Sequence, residues 1–217
     1  MSFKTCSILW IVLFCFGLPS GVFGQYIQKE TIGGKTYAVI YAEGLAGAAQ
    51  WGSGVKIMRN NATSRHQVSK GNGGNLSVND RIPFRFIVAP TDVGSNDKNW
   101  MAVQGVNDGG QDDNPDFATT ANTGCRWYGT AGAPGEGRKW RVPTQRELQL
   151  MWMFREAIGA IYKDKPMEET GRTKRYWSST EKGATDAWFF DFTSGKPYCD
   201  IQAKSTANGM VRCVSDY

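Results

Sequence analysis

Histidine is almost absent from this chain: of 217 residues only His66 is one. A single histidine excludes multi-histidine metal sites and most histidine-based catalytic triads. The sequence also has no G-x-S-x-G elbow, no phosphate-binding glycine loop and no H-E-x-x-H run. After residue 24 no apolar stretch approaches the roughly 20 residues that a membrane-spanning helix needs. Charge is not concentrated either. The formal net charge is +5, and the basic groups Arg138, Lys139, Arg141, Arg146 and Arg172, Lys174, Arg175 do not form the dense stripe of a nucleic-acid surface. They read as solvated faces, as does the acidic group Asp108, Asp112, Asp113 and Asp116.

What is present begins with an export signal. Lys4 is the only charge in the first 24 residues, and it precedes an apolar run from Cys6 to Leu18. The helix breakers Pro19 and Gly21 follow, then Val22-Phe23-Gly24, which suits cleavage before Gln25. Residues 1–24 are therefore expected to be a removable signal peptide. A lipid anchor on Cys15 is disfavoured by the bulky Phe14 before it. With Cys6 and Cys15 gone, Cys125, Cys199 and Cys213 remain, so at most one internal bridge can form. Export to an oxidising compartment favours one, and three pairings stay open.

The rest of the chain divides at about residue 95. Residues 25–95 read as a β-rich region, with alternation in Lys35-Thr36-Tyr37-Ala38-Val39-Ile40-Tyr41 after the turn Gly33-Gly34 and again from Ile82 to Val88. The stretch 60–80 is polar and glycine-rich and reads as a long loop. Residues 96–217 form the second part. There Asn99-Trp100-Met101-Ala102-Val103 is expected to be a strand, and the Gly- and Asp-rich stretch 105–137 irregular surface backbone. Thr144 with Glu147 makes a capping box. Leu148, Met151, Trp152, Arg155 and Ile158 then recur at helical spacing, predicting one helix that ends near Tyr162. Four strands follow: Tyr176–Thr180, Ala187–Phe192, Tyr198–Gln202 and Met210–Val214. One helix with strands joined by tight turns predicts an α+β domain with an antiparallel sheet.

Four features in order carry a family resemblance: Cys125, Trp140-Arg141-Val142-Pro143-Thr144 with its helix, Tyr176-Trp177-Ser178-Ser179-Thr180, and Val211-Arg212-Cys213-Val214. Together they resemble the Fib-succ-major family and its close relatives of the domain-of-unknown-function type, found in bacterial surface proteins, with Val142 in place of the usual Leu. The resemblance implies a C-type-lectin-like fold of the formylglycine-generating-enzyme branch, a bridge between Cys125 and Cys213, and a place in secreted, fimbria-associated or cell-surface proteins. It says nothing about residues before about Asn99.

The functional expectation is an exported, non-enzymatic binding protein, such as an adhesin that takes a glycan or protein ligand through loops. A structural subunit of a surface filament is the alternative, with Tyr26–Ile32 as a donor strand. An oxidase related to formylglycine-generating enzymes is less favoured, because those depend on a closely spaced cysteine pair whereas Cys199 and Cys213 are well separated. Loops on a rigid scaffold nominate Glu181, Lys182, Thr185, Asp186, Lys196, Tyr198, Asp200, Lys204 and Asn208 as ligand-binding residues. Trp140, Trp177 and Trp188 are assigned to the core rather than to a sugar platform. Asp108, Asp112, Asp113 and Asp116 offer the hard oxygens calcium requires, but without an EF-hand spacing, so no metal or other cofactor is expected.

Overall fold

At Gly33-Gly34 the backbone turns with φ of 58° and 77°, values that glycine reaches without the steric cost of a Cβ. That two-residue turn joins β1 (Tyr26–Ile32) to β2 (Lys35–Tyr41) in antiparallel register, placing Tyr26 opposite Tyr41 and Ile32 opposite Lys35. The computed structural model describes residues 24–42, 50–51, 66–67, 82–83, 85–105, 122–163, 165, 167, 175–181, 185–192 and 198–217. The segment expected to be a signal peptide lies, apart from Gly24, outside them. Short pieces β3 (Gln50–Trp51), β4 (His66–Gln67) and β5 (Ile82–Pro83) precede β6 (Arg85–Val88) and β7 (Val93–Lys98). Helices α1 (Trp100–Gln104), α2 (Gly124–Tyr128), α3 (Gln145–Met153) and α4 (Arg155–Ile161) follow. The chain closes with β8 (Arg175–Glu181), β9 (Asp186–Asp191), β10 (Tyr198–Ala203), β11 (Gly209–Val211) and β12 (Val214–Asp216).

Two sheets organise these elements. The first is antiparallel with order β1-β2-β6-β12; the second has order β10-β9-β8-β11-β7, with β4 also beside β8, and β3 pairs with β5 separately. The expected antiparallel sheet is thus a mixed one, because β8 runs parallel to both β11 and β4. The α+β class holds: most of the described structure is sheet, with few helices.

Both sheets contribute alternate residues to two buried clusters. One takes Val39, Ile87, Trp177, Phe189 and Val211 together with α1 and α2; the other takes Ile40, Phe86, Tyr176, Phe190 and Met210 together with α3 and α4. Since β2 and β6 are covered on both faces, they read as continuous apolar runs rather than strict alternation.

Several expectations change. Asn99–Val103 is not a strand: Asn99 Oδ1 accepts the Ala102 N–H at 2.8 Å and caps α1. The single helix is two, broken at Phe154. Stretch 105–137 contains α2, although residues 106–121 lie outside the described residues. The last strand is also two: Met210 pairs with Tyr176 in one sheet, whereas Val214 pairs with Val88 in the other. His66, expected in a polar loop, lies opposite Thr180 in β4. The division at residue 95 falls inside β7, and β12 closes the sheet that β1 begins. Tyr26–Ile32, the suggested donor strand, is paired with its own chain along its whole length.

Candidate functional site

The motif residues build the frame. Trp140 donates from Nε1 to the Gly135 carbonyl at 2.8 Å and meets Tyr128 edge-on at 5.3 Å. Next to it, the Arg141 backbone bridges Val214 in both directions, at 2.8 and 2.9 Å. Its guanidinium grips both oxygens of Glu147, at 2.7 and 2.6 Å, and reaches Asp216 at 2.9 Å. Glu147 also accepts the Thr144 N–H, completing the capping box of α3. Burial works against the Arg141 charge, but Glu147 and Asp216 outweigh it and raise its pKa.

The second motif has the same character. Trp177 Nε1 donates to the Lys98 carbonyl, Ser178 Oγ to the Trp188 carbonyl, and the Ser178 carbonyl accepts from Trp100 Nε1. Thr180 Oγ1 accepts the Gln145 N–H at the start of α3. The single Tyr176 hydroxyl proton is shared between the Met167 carbonyl at 2.8 Å and Asp92 at 3.1 Å, and burial followed by the Asp92 charge holds its phenol well above the ordinary tyrosine pKa.

Between β11 and β12 the chain crosses from one sheet to the other, and there the third motif acts. Arg212 is fully buried; it pairs with Asp92 at 2.6 Å and donates to the carbonyls of Ala89, Pro90 and Lys165. Cys213 is bridged to Cys125 of α2, as the resemblance implies, and Cys199 is half-buried and free. Of the three tryptophans assigned to the core, Trp140 and Trp177 are buried, whereas Trp188 is only half-buried.

The nominated loop residues do not form one surface. Glu181 and Asp186 lie towards the same end of the β8–β9–β10 ladder, since Glu181 pairs with Ala187 and Asp186 with Ala203. Thr185 is exposed there and donates to Asp186 at 2.7 Å; Asn208 joins by accepting from Gln202 at 2.7 Å. Asp200, opposite Phe189, stands midway along the ladder, and Tyr198, opposite Asp191, marks its far end. Lys182 and Lys196 lie outside the described residues. Lys204 is a correction: it is fully buried with Nζ 4.6 Å from the centre of the Trp100 ring, and its backbone joins Thr185 to Trp100. A side chain in that position cannot meet a ligand at the surface. The acidic residues Asp108, Asp112, Asp113 and Asp116 lie outside the described residues, and among the described residues no three metal-ligating side chains cluster.

A different set converges at the margin of the first sheet. Tyr26, Tyr41 and Arg85 are successive cross-strand partners on β1, β2 and β6, and Tyr217, one position beyond the Asp216–Phe86 pair, falls beside Arg85. The Tyr26 and Tyr41 rings stack at 4.5 Å, and the Arg85 guanidinium lies 3.6 Å from the centre of the Tyr217 ring. Glu30 joins the row by accepting from the Tyr41 hydroxyl and, at 2.8 Å, from the Tyr217 hydroxyl. Burial, then Glu30, pushes the Tyr41 phenol up to about 12; the hydrogen bond to Glu30 raises that of Tyr217. Both hydroxyls therefore remain donors at neutral pH. Tyr26 keeps 42% of its surface exposed and Tyr217 47%.

The Tyr26–Tyr41 pair follows from the sequence, because the Gly33-Gly34 turn fixes that register. Arg85 and Tyr217 do not, because only the sheet order brings β6 and β12 alongside.

A family match spans residues 96–215, more than half of the chain, and its description is the Lcl C-terminal domain. The chain belongs to the Lcl C-terminal domain family. No curated protein matches the chain. The Lcl segment contains every motif residue described above, from the disulfide to the two arginines Arg141 and Arg212. Tyr26, Glu30, Tyr41, Arg85 and Tyr217 all lie outside the Lcl segment.

Proposed function

We propose that this protein is an exported, non-enzymatic binding protein of the cell surface, carrying its ligand surface on a C-type-lectin-like scaffold such as the Fib-succ-major resemblance implies. The observation that carries the reading is the tyrosine row. Three residues from three strands and Tyr217, just beyond a fourth, meet at one sheet margin, joined by a carboxylate, and leave two aromatic side chains half in solvent. A rigid aromatic surface with ordered hydrogen-bonding groups binds ligands at low entropic cost.

Two further observations support a binding role. The buried charged groups Arg141, Glu147 and Arg212 and the half-buried Asp92 are engaged with one another or with backbone, where they hold elements together. Cys213 is committed to the bridge with Cys125, so among the described residues Cys199 has no second thiol beside it for oxidase chemistry. Export agrees with that bridge, and among the described residues no helix is long and apolar enough to cross a membrane.

The test uses the chain from Gln25 to Tyr217 spotted against glycan and protein arrays, beside the Tyr26→Ala/Tyr217→Ala double variant. The expected result is capture of a ligand that the double variant holds roughly tenfold or more weakly, about 1.4 kcal/mol, at an unchanged melting temperature. Equal capture by both proteins would place the ligand elsewhere.

A further inference from the structure

The chemistry of the tyrosine row is specific enough to indicate what it takes. Its two formal charges, Glu30 and Arg85, are of opposite sign, so the row itself presents no run of one sign to a polyanion or a polycation. Its hydrogen-bonding groups are mixed. A carboxylate has about four acceptor sites, of which the two phenols use two, and the guanidinium beside Tyr217 supplies donors. Hydroxyl groups, which donate and accept at once, match such a set. The ring faces add an apolar component suited to C–H surfaces. The Tyr41 and Tyr217 hydroxyls both meet Glu30 on β1, so the side chains gather into one patch at the margin of the sheet rather than standing an inter-strand spacing apart. Such a patch suits one or two sugar units of a chain that continues past it.

Resting on the binding role proposed above, we infer that the Tyr26–Tyr41–Arg85–Tyr217 row with Glu30 binds a neutral oligosaccharide chain laid over that patch. The pyranose C–H faces lie on the Tyr26 and Tyr217 rings, and the sugar hydroxyls bond to Glu30 and Arg85.

The experiment titrates the Gln25 to Tyr217 chain calorimetrically with four neutral hexasaccharides (cellohexaose, laminarihexaose, maltohexaose and mannohexaose) and with a heparin hexasaccharide, each at low and high salt. At least one neutral sugar is expected to bind, with an affinity that salt leaves within about twofold, since no counterions are released. Tyr26→Ala, Tyr217→Ala and Arg85→Gln are each expected to weaken it about tenfold or more. Because a substitution in the row also removes a cross-strand contact, the wild-type protein is followed by NMR as well, where the shifted amides should centre on residues 26–30, 41, 85 and 217. Row-dependent binding of heparin alone, weakened by salt, would overturn the neutral-sugar assignment while leaving the binding surface intact. So would failure of all five sugars combined with row-dependent capture of a protein on the array. Binding of a neutral sugar that no row variant alters, with shifts elsewhere, would overturn both assignments.

Discussion

Arg212 illustrates what a single residue does here. Its planar head has five N–H donors in a fixed fork, and the fold uses that shape: one edge meets Asp92 and the rest reach the carbonyls of Ala89, Pro90 and Lys165. These groups belong to the end of β6, the turn before β7 and the chain after α4, so one side chain fastens three segments. Lysine carries the same charge but has three donors on a single nitrogen, and it cannot reach carbonyls that lie in different directions. Arg212→Lys is therefore expected to cost about 1–3 kcal/mol, the usual loss when buried acceptors are left unsatisfied, read as a fall in the urea midpoint with an unchanged slope. A loss below about 1 kcal/mol would mean that charge alone is what the site needs. The sequence shows that an arginine stands before Cys213, but its partners lie far from it in the chain, Lys165 47 positions earlier and Ala89 123, which no local pattern encodes.

At the scale of elements, the legible parts are those whose signal is local. The capping box at Thr144, the glycine turn before β2 and the aromatic strand β9 appear where the pattern puts them. Helix α1 was illegible because a five-residue apolar run does not distinguish strand from helix; the Asn99 cap and Gly105, with φ of 88° at the other end, decide it. The split of Met210–Val214 is likewise non-local, since Val211 and Val214 find partners in different sheets. The disulfide pins that crossing to α2 and closes a loop of sequence separation 88. The chain-entropy model gives such a bridge on the order of 4–5 kcal/mol as an upper figure. Cys125→Ser and Cys213→Ser should each lose several kcal/mol in denaturant melts under oxidising conditions, whereas Cys199→Ser, which breaks no bridge, should lose less than about 1 kcal/mol. Equal losses at all three cysteines would mean that Cys199 contributes through its packing beside the second cluster.

For the whole molecule, the division that the motifs suggest is not the division that the sheets make. Motifs are dense after Cys125 because clamps, caps and bridges demand particular residues. Strands β2 and β6 demand apolar side chains of suitable shape rather than particular residues, so they are legible as strands but carry no motif. Yet the last strand of the Lcl segment, β12, pairs with β6, and Ala89 donates to the Cys213 carbonyl beside the disulfide. A chain beginning at residue 96 would lose Val39, Ile40, Phe86, Ile87 and Val88, all fully buried. At about 1.5–3 kcal/mol each, these five alone contribute on the order of 10 kcal/mol, comparable with the 5–15 kcal/mol stability of an ordinary domain. It would also leave one edge of β12 unpaired and Arg212 without Asp92 and the carbonyls of Ala89 and Pro90. Residues 96–217 expressed alone are therefore expected to melt without cooperativity in urea and to show a collapsed spread of amide shifts, while the chain from Gln25 to Tyr217 gives one sharp transition. A cooperative melt of the shorter chain would show that β12 and the disulfide find a stable arrangement without the first sheet, and that the tyrosine row belongs to an appendage rather than to the fold itself.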